Sequence, residues 1–529
     1  MSVETKLPDG YEFREGYLYR DGACISNFFA RPTALYHRQG DAFPFACDLE
    51  IHQASGSKVL EHFLLSDLSD DWWKEPPPSC YYVSQQKNTH RAVRFVFQSL
   101  MEAAPVTSVE EISELGWHRL PSGQMTYIAG KDILADNASI DSKHLWISDK
   151  IKGVCIESEP DTRIDDALQF FWDFFFLMPG ITDILLTYTF LSFLSPLFRD
   201  VGIIPRFPLI LEGPTESKKT TLACLACGTF MRKSNPRHCV VGLTSTRSAV
   251  ELRARGMQHC VLIVDDLFPD GKAPQKEKAL ALIRDVANQD ARETRSGNSL
   301  VSNKMDCGVV LTAEFFPSCG QSTRTRCLRL KLFRPIQNAL LKPFQDRPAL
   351  LGNVFKAFLQ KTAIRYSEIV SVISEDFQKY RASRAEEGQI GVKSERLAEI
   401  GFCLVEALDI VLKIFPREDA NCILKDFQAR VNAWIDWQLS PEATMELCDV
   451  VSILPELQRQ HPDKFFSHNN CTCITPDELC KLVRTRFGDP TITKSSVLRV
   501  LQDRGVLVKD RSNVATKKIA GRRYLFLRP

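Results

Sequence analysis

The segment PLILEGPTESKKTT at 208–221 places an apolar run, a glycine turn and adjacent basic and hydroxyl residues directly before a helical pattern. Binding of an oligophosphate requires inward backbone N–H groups, a helix N-terminus, a lysine for the β- and γ-phosphates and a hydroxyl for Mg²⁺. Gly213 begins the turn, Lys219 is the candidate phosphate lysine, and Thr220 is the candidate metal hydroxyl. The residues expected to contact a nucleotide are Gly213, Pro214, Thr215, Glu216, Ser217, Lys218, Lys219, Thr220 and Thr221.

One residue of this loop departs from the phosphate-binding pattern GxxxxGK[ST]. Lys218 occupies the position of the second glycine, where a side chain has a steric cost if the loop needs a positive φ. By itself the segment is also compatible with an ordinary strand, turn and helix. The segments that follow it favour phosphate binding.

An apolar run at 259–266, HCVLIVDD, ends in two carboxylates. Such a run is typical of a buried parallel strand that presents acidic groups at the carboxyl edge of a sheet. We expect Asp265 to hold Mg²⁺ through water and Asp266 to orient or deprotonate the attacking water. Alone, the run would fit a core strand that ends in a solvated turn. After the phosphate loop, in this order, it predicts a nucleoside triphosphatase that uses ATP and Mg²⁺.

Two later strand patterns carry further candidates. CGVVLTAE at 307–314 places Thr312 and Glu314 where a polar residue can sense the γ-phosphate. CLRLKLF at 327–333 follows the basic stretch STRTR, so Arg324 and Arg326 could reach the nucleotide of a neighbouring subunit. Solvated arginines beside a strand are the alternative. The expected catalytic residues are Lys219, Asp265, Asp266, Thr312 and Arg326.

Composition limits the classes of protein to consider. At 529 residues the chain has room for three or four domains, and its 44% hydrophobic content is enough to form packed cores. Its 67 basic and 65 acidic residues leave a net charge of +2, so a nucleic-acid surface has to be local. The 17 cysteines are scattered through apolar segments, and we interpret them as reduced thiols of a cytoplasmic protein.

Two features could suggest a zinc protein or a membrane protein. One is a histidine and cysteine cluster whose spacing fits no zinc-finger pattern. Its members are His461, His468, Cys471, Cys473 and Cys480. The other is the apolar segment 182–198, which is short and contains Asp183 and Pro196. This composition favours a buried helix over a membrane span.

The patterns divide the chain into four regions of a multidomain α/β protein. Alternating runs and turn pairs over 1–150 predict a mixed, β-rich N-terminal domain. Alternating strands and helices over 165–335 predict a three-layer α/β sandwich that holds the nucleotide site. Amphipathic patterns over 336–460 predict a helical lid and connecting bundle, in which Arg396 is a candidate second phosphate sensor. Residues 474–529 follow the order helix, helix, two-stranded ribbon, which is that of a winged-helix domain.

A basic hairpin is the first candidate DNA contact. Arg292, Arg295 and Lys304 flank a turn at 296–298, just before the strand of Thr312. In a ring of subunits such a hairpin could enter the central pore and touch a single strand of DNA. A solvated surface hairpin is the alternative.

The C-terminal region is the second candidate. From Lys481 onward it contains thirteen lysines and arginines and three aspartates, a charge excess typical of phosphate binding. Its second helix would enter the major groove of duplex DNA through Lys494, Ser495, Ser496 and Arg499. Its ribbon would hold the DNA backbone through Lys517, Lys518, Arg522 and Arg523. Winged helices also contact proteins, which is the alternative.

The order of a GWH hairpin, an apolar helix, GPTESKKTT, VLIVDD, a basic hairpin and VVLTAE resembles AAA+ helicase-like proteins of phages and integrative elements. These include the domain of unknown function 927 and the self-loading cassette-chromosome helicases with an MCM-like core. The resemblance implies an AAA+ core, a hexameric ring of identical subunits, ATP hydrolysis at subunit interfaces, 3′ to 5′ translocation on DNA and replication of a mobile element.

Two residues depart from the family pattern, and they leave other functions open. Lys218 replaces the loop glycine, and Asp266 replaces the more usual glutamate, whose carboxylate would reach farther toward the water. Slow hydrolysis would suit a non-translocating nucleotide switch in regulation or defence. A DNA-binding scaffold with an inactive loop is a third interpretation, supported by Lys218 alone.

Overall fold

The computed structural model describes the chain except for residues 1–6, 39–42, 54, 67–82, 86–87, 104–106, 121–122, 136–144, 215, 229, 233–237, 268–272, 289–292, 297–298, 303–304, 315, 317–318, 320, 387–393, 441–449, 469–470, 488–491, 504, 509–515, 520 and 529. The chain forms two compact units. The first comprises Met1–Ser113 and Asn137–Lys152, and the second comprises Glu114–Asp136 and Gly153–Pro529. The GWH strand at 116–118 therefore belongs to the same unit as the phosphate loop.

The first unit contains a five-stranded mixed sheet of order β11-β7-β4-β5-β6 and a three-stranded sheet of order β1-β2-β3. Its elements are β1 (Tyr11–Arg14), β2 (Tyr17–Arg20), β3 (Ala23–Ser26), β4 (Phe28–Arg38), β5 (Ala46–Gln53), β6 (Lys58–Leu64), α1 (Thr89–Ala103), β7 (Thr107–Ile112), β11 (Leu145–Ile147) and α2 (Asp149–Lys152). Val93, Val96 and Leu100 recur at helical spacing on α1. They pack in one core with Leu49 and Ile51 of β5.

The second unit is built from several sheets and many helices. Its strands are β8 (Gly116–Arg119), β9 (Met125–Ala129), β10 (Asp132–Leu134), β12 (Val154–Ile156), β13 (Leu209–Glu212), β14 (Phe230–Arg232), β15 (Val240–Gly242), β16 (Val261–Leu267), β17 (Glu293–Ser296), β18 (Ser299–Ser302), β19 (Gly308–Ala313), β20 (Leu328–Lys331), β21 (Phe466–His468), β22 (Cys471–Ile474), β23 (Thr516–Ile519) and β24 (Arg522–Leu527). Its helices are α3 (Ile164–Phe175), α4 (Thr182–Asp200), α5 (Lys219–Cys227), α6 (Arg247–Gly256), α7 (Ala273–Asn288), α8 (Gln321–Arg324), α9 (Asn338–Asp346), α10 (Ala349–Ile364), α11 (Tyr366–Glu386), α12 (Glu395–Ile414), α13 (Ala420–Leu439), α14 (Val450–Gln460), α15 (Pro476–Phe487) and α16 (Lys494–Asp503).

A parallel sheet of order β15-β16-β19-β13-β20 forms the centre of this unit. Its strands are short apolar runs with little alternation, as expected when helices cover both faces. The carboxyl ends of β13, β16 and β19 meet at one edge. The phosphate loop follows the end of β13, and the two aspartates lie near the end of β16, so the sheet topology brings them together.

The apolar segment 182–198 lies within α4, whose residues are almost all buried. Asp183 is fully buried there and accepts hydrogen bonds from the backbone N–H of Gly180 at 2.7 Å and from Nε of Arg430 on α13 at 2.7 Å. These partners compensate for the burial of a carboxylate in an apolar helix. Within the described residues, no helix has the length and apolar character needed to cross a membrane.

A buried ion pair joins two neighbouring strands of the central sheet. Nε and Nη2 of Arg329 on β20 donate to the two carboxylate oxygens of Glu212 on β13, at 2.6 and 3.2 Å. The guanidinium also lies over the rings of Phe316 and Trp437, with its carbon 4.5 and 4.9 Å from their centroids. The carboxylate and the two aromatic rings stabilise the charge of the guanidinium group in the absence of water. The pair fixes the strand from which the phosphate loop begins.

The last part of the second unit has a four-stranded antiparallel sheet of order β21-β22-β24-β23. Ile474, Leu525 and Leu527 of this sheet pack in one core with Leu479 of α15 and Leu501 of α16. Helices therefore cover one face of the sheet.

Candidate nucleotide site

The phosphate loop connects β13 to α5 with two non-glycine residues in the left-handed region. Glu216 has a φ of 64° and Lys218 a φ of 69°. Lys218, which stands in place of the second glycine, therefore has the steric cost expected from the sequence. An L-residue in the left-handed region is less stable by roughly 1–2 kcal/mol than in the right-handed one. Gly213 is needed for space, because a Cβ atom there would lie 2.9 Å from both Leu332 Cβ and Ser217 Oγ.

Lys219 folds its side chain back across the loop. Its Nζ donates to the carbonyl oxygens of Gly213 and Pro214, both at 2.8 Å, and to Oγ of Ser217 at 3.3 Å. Burial lowers the pKa of Lys219, while the nearby carboxylates of Glu314, Asp265 and Asp266 act in the opposite direction. The structure thus brings the candidate lysine and the candidate carboxylates into one electrostatic environment.

Asp265 is the centre of a hydroxyl network. Its Oδ1 accepts from Oγ1 of Thr220 at 2.6 Å and from Oγ1 of Thr312 at 2.5 Å. Two hydroxyls predicted from separate segments of sequence therefore converge on one oxygen of Asp265. Carboxylate and hydroxyl oxygens are hard donors that suit Mg²⁺, so Thr220 and Asp265 fit the metal role predicted for them.

A bulge in β16 positions both aspartates. Val264 pairs with Leu311 and Leu267 pairs with Ala313, so Asp265 and Asp266 together lie opposite the single residue Thr312. The backbone N–H of Asp266 donates to Oγ1 of Thr312 at 3.1 Å. Asp266 has a φ of 63° and an exposed side chain. Thr312 therefore contacts both aspartates, a role that the sequence pattern did not reveal.

The arginines before β20 have different environments. Arg324 is buried, and its Nη1 donates to the carbonyl oxygen of Cys319 at 2.8 Å. Arg326 is partly exposed; its Nε donates to Oδ1 of Asn288 at 3.3 Å, and its Nη1 contacts the carbonyl and hydroxyl oxygens of Ser322. Arg326 is thus the more accessible of the two.

Arg326 belongs to a basic cavity at the amino edge of the central sheet. The cavity has a volume of about 280 Å³, and Arg206, Arg396 and Glu399 also line it. Burial lowers the pKa of Arg326, and the charges of Arg396 and Arg284 act in the same direction. Burial raises the pKa of Glu399, against the effect of Arg206 and Arg396. Sequence reasoning missed the contribution of Arg206, whose only signal is a basic residue just before an apolar strand.

The cavity and the phosphate loop lie at opposite edges of the sheet. Arg206 precedes β13 and Arg326 precedes β20, whereas the loop follows β13. A strand of four residues spans about 13 Å, so these arginines do not reach the loop of their own chain. Arg396, considered above as a second phosphate sensor, lies with Arg326 and away from that loop.

The predicted DNA contacts are only partly described. β17 and β18 pair antiparallel and include Arg295, while Arg292 and Lys304 lie outside the described residues. Lys494 begins α16 and forms an ion pair with Asp477. Ser495, Ser496 and Arg499 follow on the same helix.

The predicted backbone-binding residues of the ribbon project in two directions. Lys517 pairs with Tyr524, and Lys518 pairs with Arg523, across β23 and β24. Because side chains alternate along a strand, Lys517 and Arg522 share one face of the ribbon and Lys518 and Arg523 the other. All four are exposed.

In the described part of the chain, the group of side chains close enough to hold a metal ion is Asp376, Glu406 and Asp409. The histidine and cysteine cluster, whose spacing fits no zinc-finger pattern, does not form such a group among the described residues. Burial raises the pKa of the Cys227 thiol, in the CxxC of α5, to about 12. A thiol with that pKa is protonated and unreactive at neutral pH.

No protein-family model matches the chain, and no curated protein matches it. Among solved structures, one described as an active Cch helicase of SCCmec type IV is similar over 98% of this chain and 98% of its own, with a TM-score of 0.54 and 13% identity. Two structures of JCV helicase with bound small molecules cover 41% and 47% of this chain and 68% and 71% of theirs. Their identities are 14% and 13%, and their TM-scores of 0.20 and 0.21 are too low to indicate a common fold.

The chain therefore shares the mixed α/β, multidomain fold of a cassette-chromosome helicase. This agrees with the resemblance noted in the sequence. The domain of unknown function 927 receives no support, because no family model matches.

Proposed function

We propose that this protein is an ATP-driven DNA helicase that hydrolyses ATP between the subunits of a ring. The observation that carries the proposal is the convergence of Thr220 and Thr312 on Asp265, beside Lys219. A phosphate lysine, a metal-binding hydroxyl and an acidic strand end are the parts that nucleotide hydrolysis needs.

The strand order of the central sheet supports an AAA+ core for this protein. β19 lies between the strand of the phosphate loop and the acidic strand β16, so Thr312 sits between the two halves of the site. A sensor at that position would detect the γ-phosphate and transmit its presence to both aspartates.

On binding the nucleotide, residues of the loop would replace hydrogen bonds within the protein by contacts with the phosphates. Lys219 would leave the carbonyl oxygens of Gly213 and Pro214 and pair with the β- and γ-phosphates. Thr220 and Asp265 would hold Mg²⁺, which supplies positive charge to the phosphate oxygens when bound. The exposed carboxylate of Asp266 would accept a hydrogen bond from the attacking water and take up its proton.

The basic cavity supports a site that is shared between subunits. Arg326, Arg206 and Arg396 lie at the edge opposite the loop, so in a head-to-tail ring they would face the nucleotide of a neighbouring subunit. Arg326 would act as the arginine finger. This arrangement would make hydrolysis depend on assembly, with a hexamer as the proposed ring.

DNA would be held at two places. The β17–β18 hairpin, with Arg292, Arg295 and Lys304, would contact a single strand in the pore. The C-terminal region, which we assign as a winged helix, would contact duplex DNA through α16, including Lys494 and Arg499, and through its basic ribbon. We place this activity in the cytoplasm, in the replication of a mobile element.

A strand-displacement assay tests the helicase function. The substrates are a labelled duplex with a 3′ single-stranded tail and the same duplex with a 5′ tail. We expect displacement that needs ATP and Mg²⁺, favours the 3′ tail and is lost in Asp265→Asn. ATP binding without displacement of either substrate would overturn the proposal.

A non-translocating nucleotide switch is the second candidate. The left-handed lysine at 218 and the short carboxylate at 266 favour it, because both depart from what fast hydrolysis requires. In that case ATP would bind and turn over slowly, and DNA would not change the rate.

A further inference from the structure

The sheet of the C-terminal region has a second face that its helices do not cover. Ile474, Leu525 and Leu527 point into the core with α15 and α16. Cross-strand pairing of Cys473 with both Phe466 and Phe526 places these side chains on the opposite face. We call this the outer face; it comprises Phe466, His468, Lys517, Arg522, Tyr524 and Phe526.

Aromatic rings and cations alternate on the outer face. The ring centroids of Phe466 and Tyr524 are 4.9 Å apart at an interplanar angle of 89°, and those of His468 and Phe526 are 5.9 Å apart. Nζ of Lys517 lies 5.4 Å from the centroid of Phe526. These contacts hold the rings in fixed orientations, so stacking on them costs little conformational entropy.

The face is accessible and has one sign of charge. Phe466 is 38% exposed, and all three residues of β21 are exposed. Tyr524 is half-buried, and Phe526 is buried beneath its neighbours. The four described strands of this sheet contain Lys517, Lys518, Arg522 and Arg523 and no acidic residue. An apolar partner would leave these charges without counterions, whereas an anionic partner with flat rings would satisfy both features.

We infer that the outer face binds single-stranded DNA, with bases stacked on Phe466 and Tyr524 and phosphates paired with Lys517 and Arg522. Exposed rings within a basic groove are the general means of binding single strands without sequence preference. A duplex has its bases stacked internally and cannot use the rings. The choice of DNA rests on the proposed function; the stacking argument itself does not.

Under this assignment one face of the ribbon binds duplex DNA and the other binds single-stranded DNA. Lys518 and Arg523 lie on the face of the sheet that packs against the helices, with Leu525 and Leu527. Lys517 and Arg522 lie on the outer face. A displaced strand could therefore leave the duplex and be captured on the other side of the same sheet.

Photocrosslinking of the full chain locates the contact. The probe is a single-stranded oligodeoxythymidine with 5-iodouracil substitutions, used without nucleotide and compared with the same label in a duplex and in an RNA strand. We expect crosslinks in the peptides of Phe466 or Tyr524 from the single-stranded probes and not from the duplex. Crosslinks confined to other peptides, or obtained with RNA in preference to DNA, would overturn the inference.

Matched variants measure the energetics. In Phe466→Leu/Tyr524→Leu, which keeps apolar volume but removes the stacking rings, we expect single-strand affinity to fall about tenfold with duplex affinity unchanged. In Lys517→Ala/Arg522→Ala the slope of log affinity against log salt should fall by about 1.4 for single strands. The control Lys518→Ala/Arg523→Ala should weaken duplex binding instead.

The outer face would not be a separate site if both pairs of basic variants lost the same single-strand and duplex affinity. An unchanged single-strand affinity in the leucine variant would contradict it as well. Neither assay requires ATP. A failed helicase assay with intact crosslinking would therefore disprove the proposed function alone, and the reverse result would disprove this inference alone.

Discussion

Thr312 is the residue whose hydroxyl contacts both aspartates of the proposed site. It donates to Asp265 and accepts from the backbone of Asp266, so it holds both carboxylates of the bulge in place. Loss of two hydrogen bonds removes roughly 2 kcal/mol of positioning energy.

We therefore expect Thr312→Val to lower ATP turnover about 30-fold, given that each 1.36 kcal/mol corresponds to a factor of ten. Thr312→Ser keeps the hydroxyl and should retain most of the activity. Nucleotide affinity, measured with a fluorescent ATP analogue, should change little in either variant. Equal turnover in the valine and serine variants would show that the hydroxyl has no role.

Lys218 offers a test of backbone strain in the phosphate loop. Its φ of 69° suits glycine better than lysine. We expect Lys218→Gly to raise the free energy of unfolding by about 1 kcal/mol in urea denaturation. The matched control is Lys425→Gly, at an exposed position inside α13, where glycine should lower stability by about 1 kcal/mol. A decrease in both variants would mean that the left-handed lysine is not strained.

At the scale of residues, the sequence predicted which side chains meet but not how. The order of the phosphate loop and the acidic strand was sufficient to bring Lys219, Thr220 and Asp265 together, because parallel strands end at one edge. The bulge was beyond prediction, since two aspartates at the end of an apolar run look the same with or without it. The clustering of Arg206 with Arg326 depends on which strands are neighbours, and spacing along the chain does not contain that information.

At the scale of elements, α13 positions the turn that carries the proposed arginine finger. Nε2 of Gln438 donates to the carbonyl oxygens of Arg324 and Cys327, at 2.7 and 2.9 Å, and its Oε1 accepts from the backbone N–H of Arg329 at 2.9 Å. The structure has helices in the region where the amphipathic patterns predict them. They could not show that a buried glutamine would fix the start of β20, because one polar residue on a helix does not identify its partner.

The contact between α11 and α12 is expected to depend on pH. Burial, together with the charges of Asp376 and Asp409, raises the pKa of Glu406 from 4.5 to about 8, while Lys413 and Lys379 act in the opposite direction. Between pH 4.5 and about pH 8 the carboxyl of Glu406 is protonated in the folded state and ionised in the unfolded state. The stability that this proton contributes is therefore complete below about pH 4.5 and is lost as the pH rises through about 8.

The wild-type protein should therefore lose about 2 kcal/mol of stability relative to Glu406→Gln between about pH 6 and about pH 8.5. Glutamine keeps the shape of the side chain and does not titrate. Thermal melting of both proteins across this range measures the difference. Parallel pH profiles would contradict a raised pKa for Glu406.

At the scale of the whole molecule, the separation of the basic cavity from the phosphate loop predicts that two subunits share each active site. Lys219→Ala and Arg326→Ala should each be inactive in ATP turnover. In an equal mixture, about a quarter of head-to-tail interfaces would combine an intact loop with an intact arginine, so activity should partly return. The double variant mixed with Lys219→Ala is the control and should stay inactive. A mixture no more active than its components would show that the site is not shared.

The central claim is that ATP hydrolysis at the site of Lys219 and Asp265 is coupled to DNA. The most direct measurement is ATP turnover by the full chain with and without single-stranded DNA, beside Lys219→Ala. We expect DNA to raise the turnover of the wild-type protein and the lysine variant to be inactive under both conditions. ATP that is bound but hardly hydrolysed, at a rate indifferent to DNA, would contradict the account and favour a nucleotide switch.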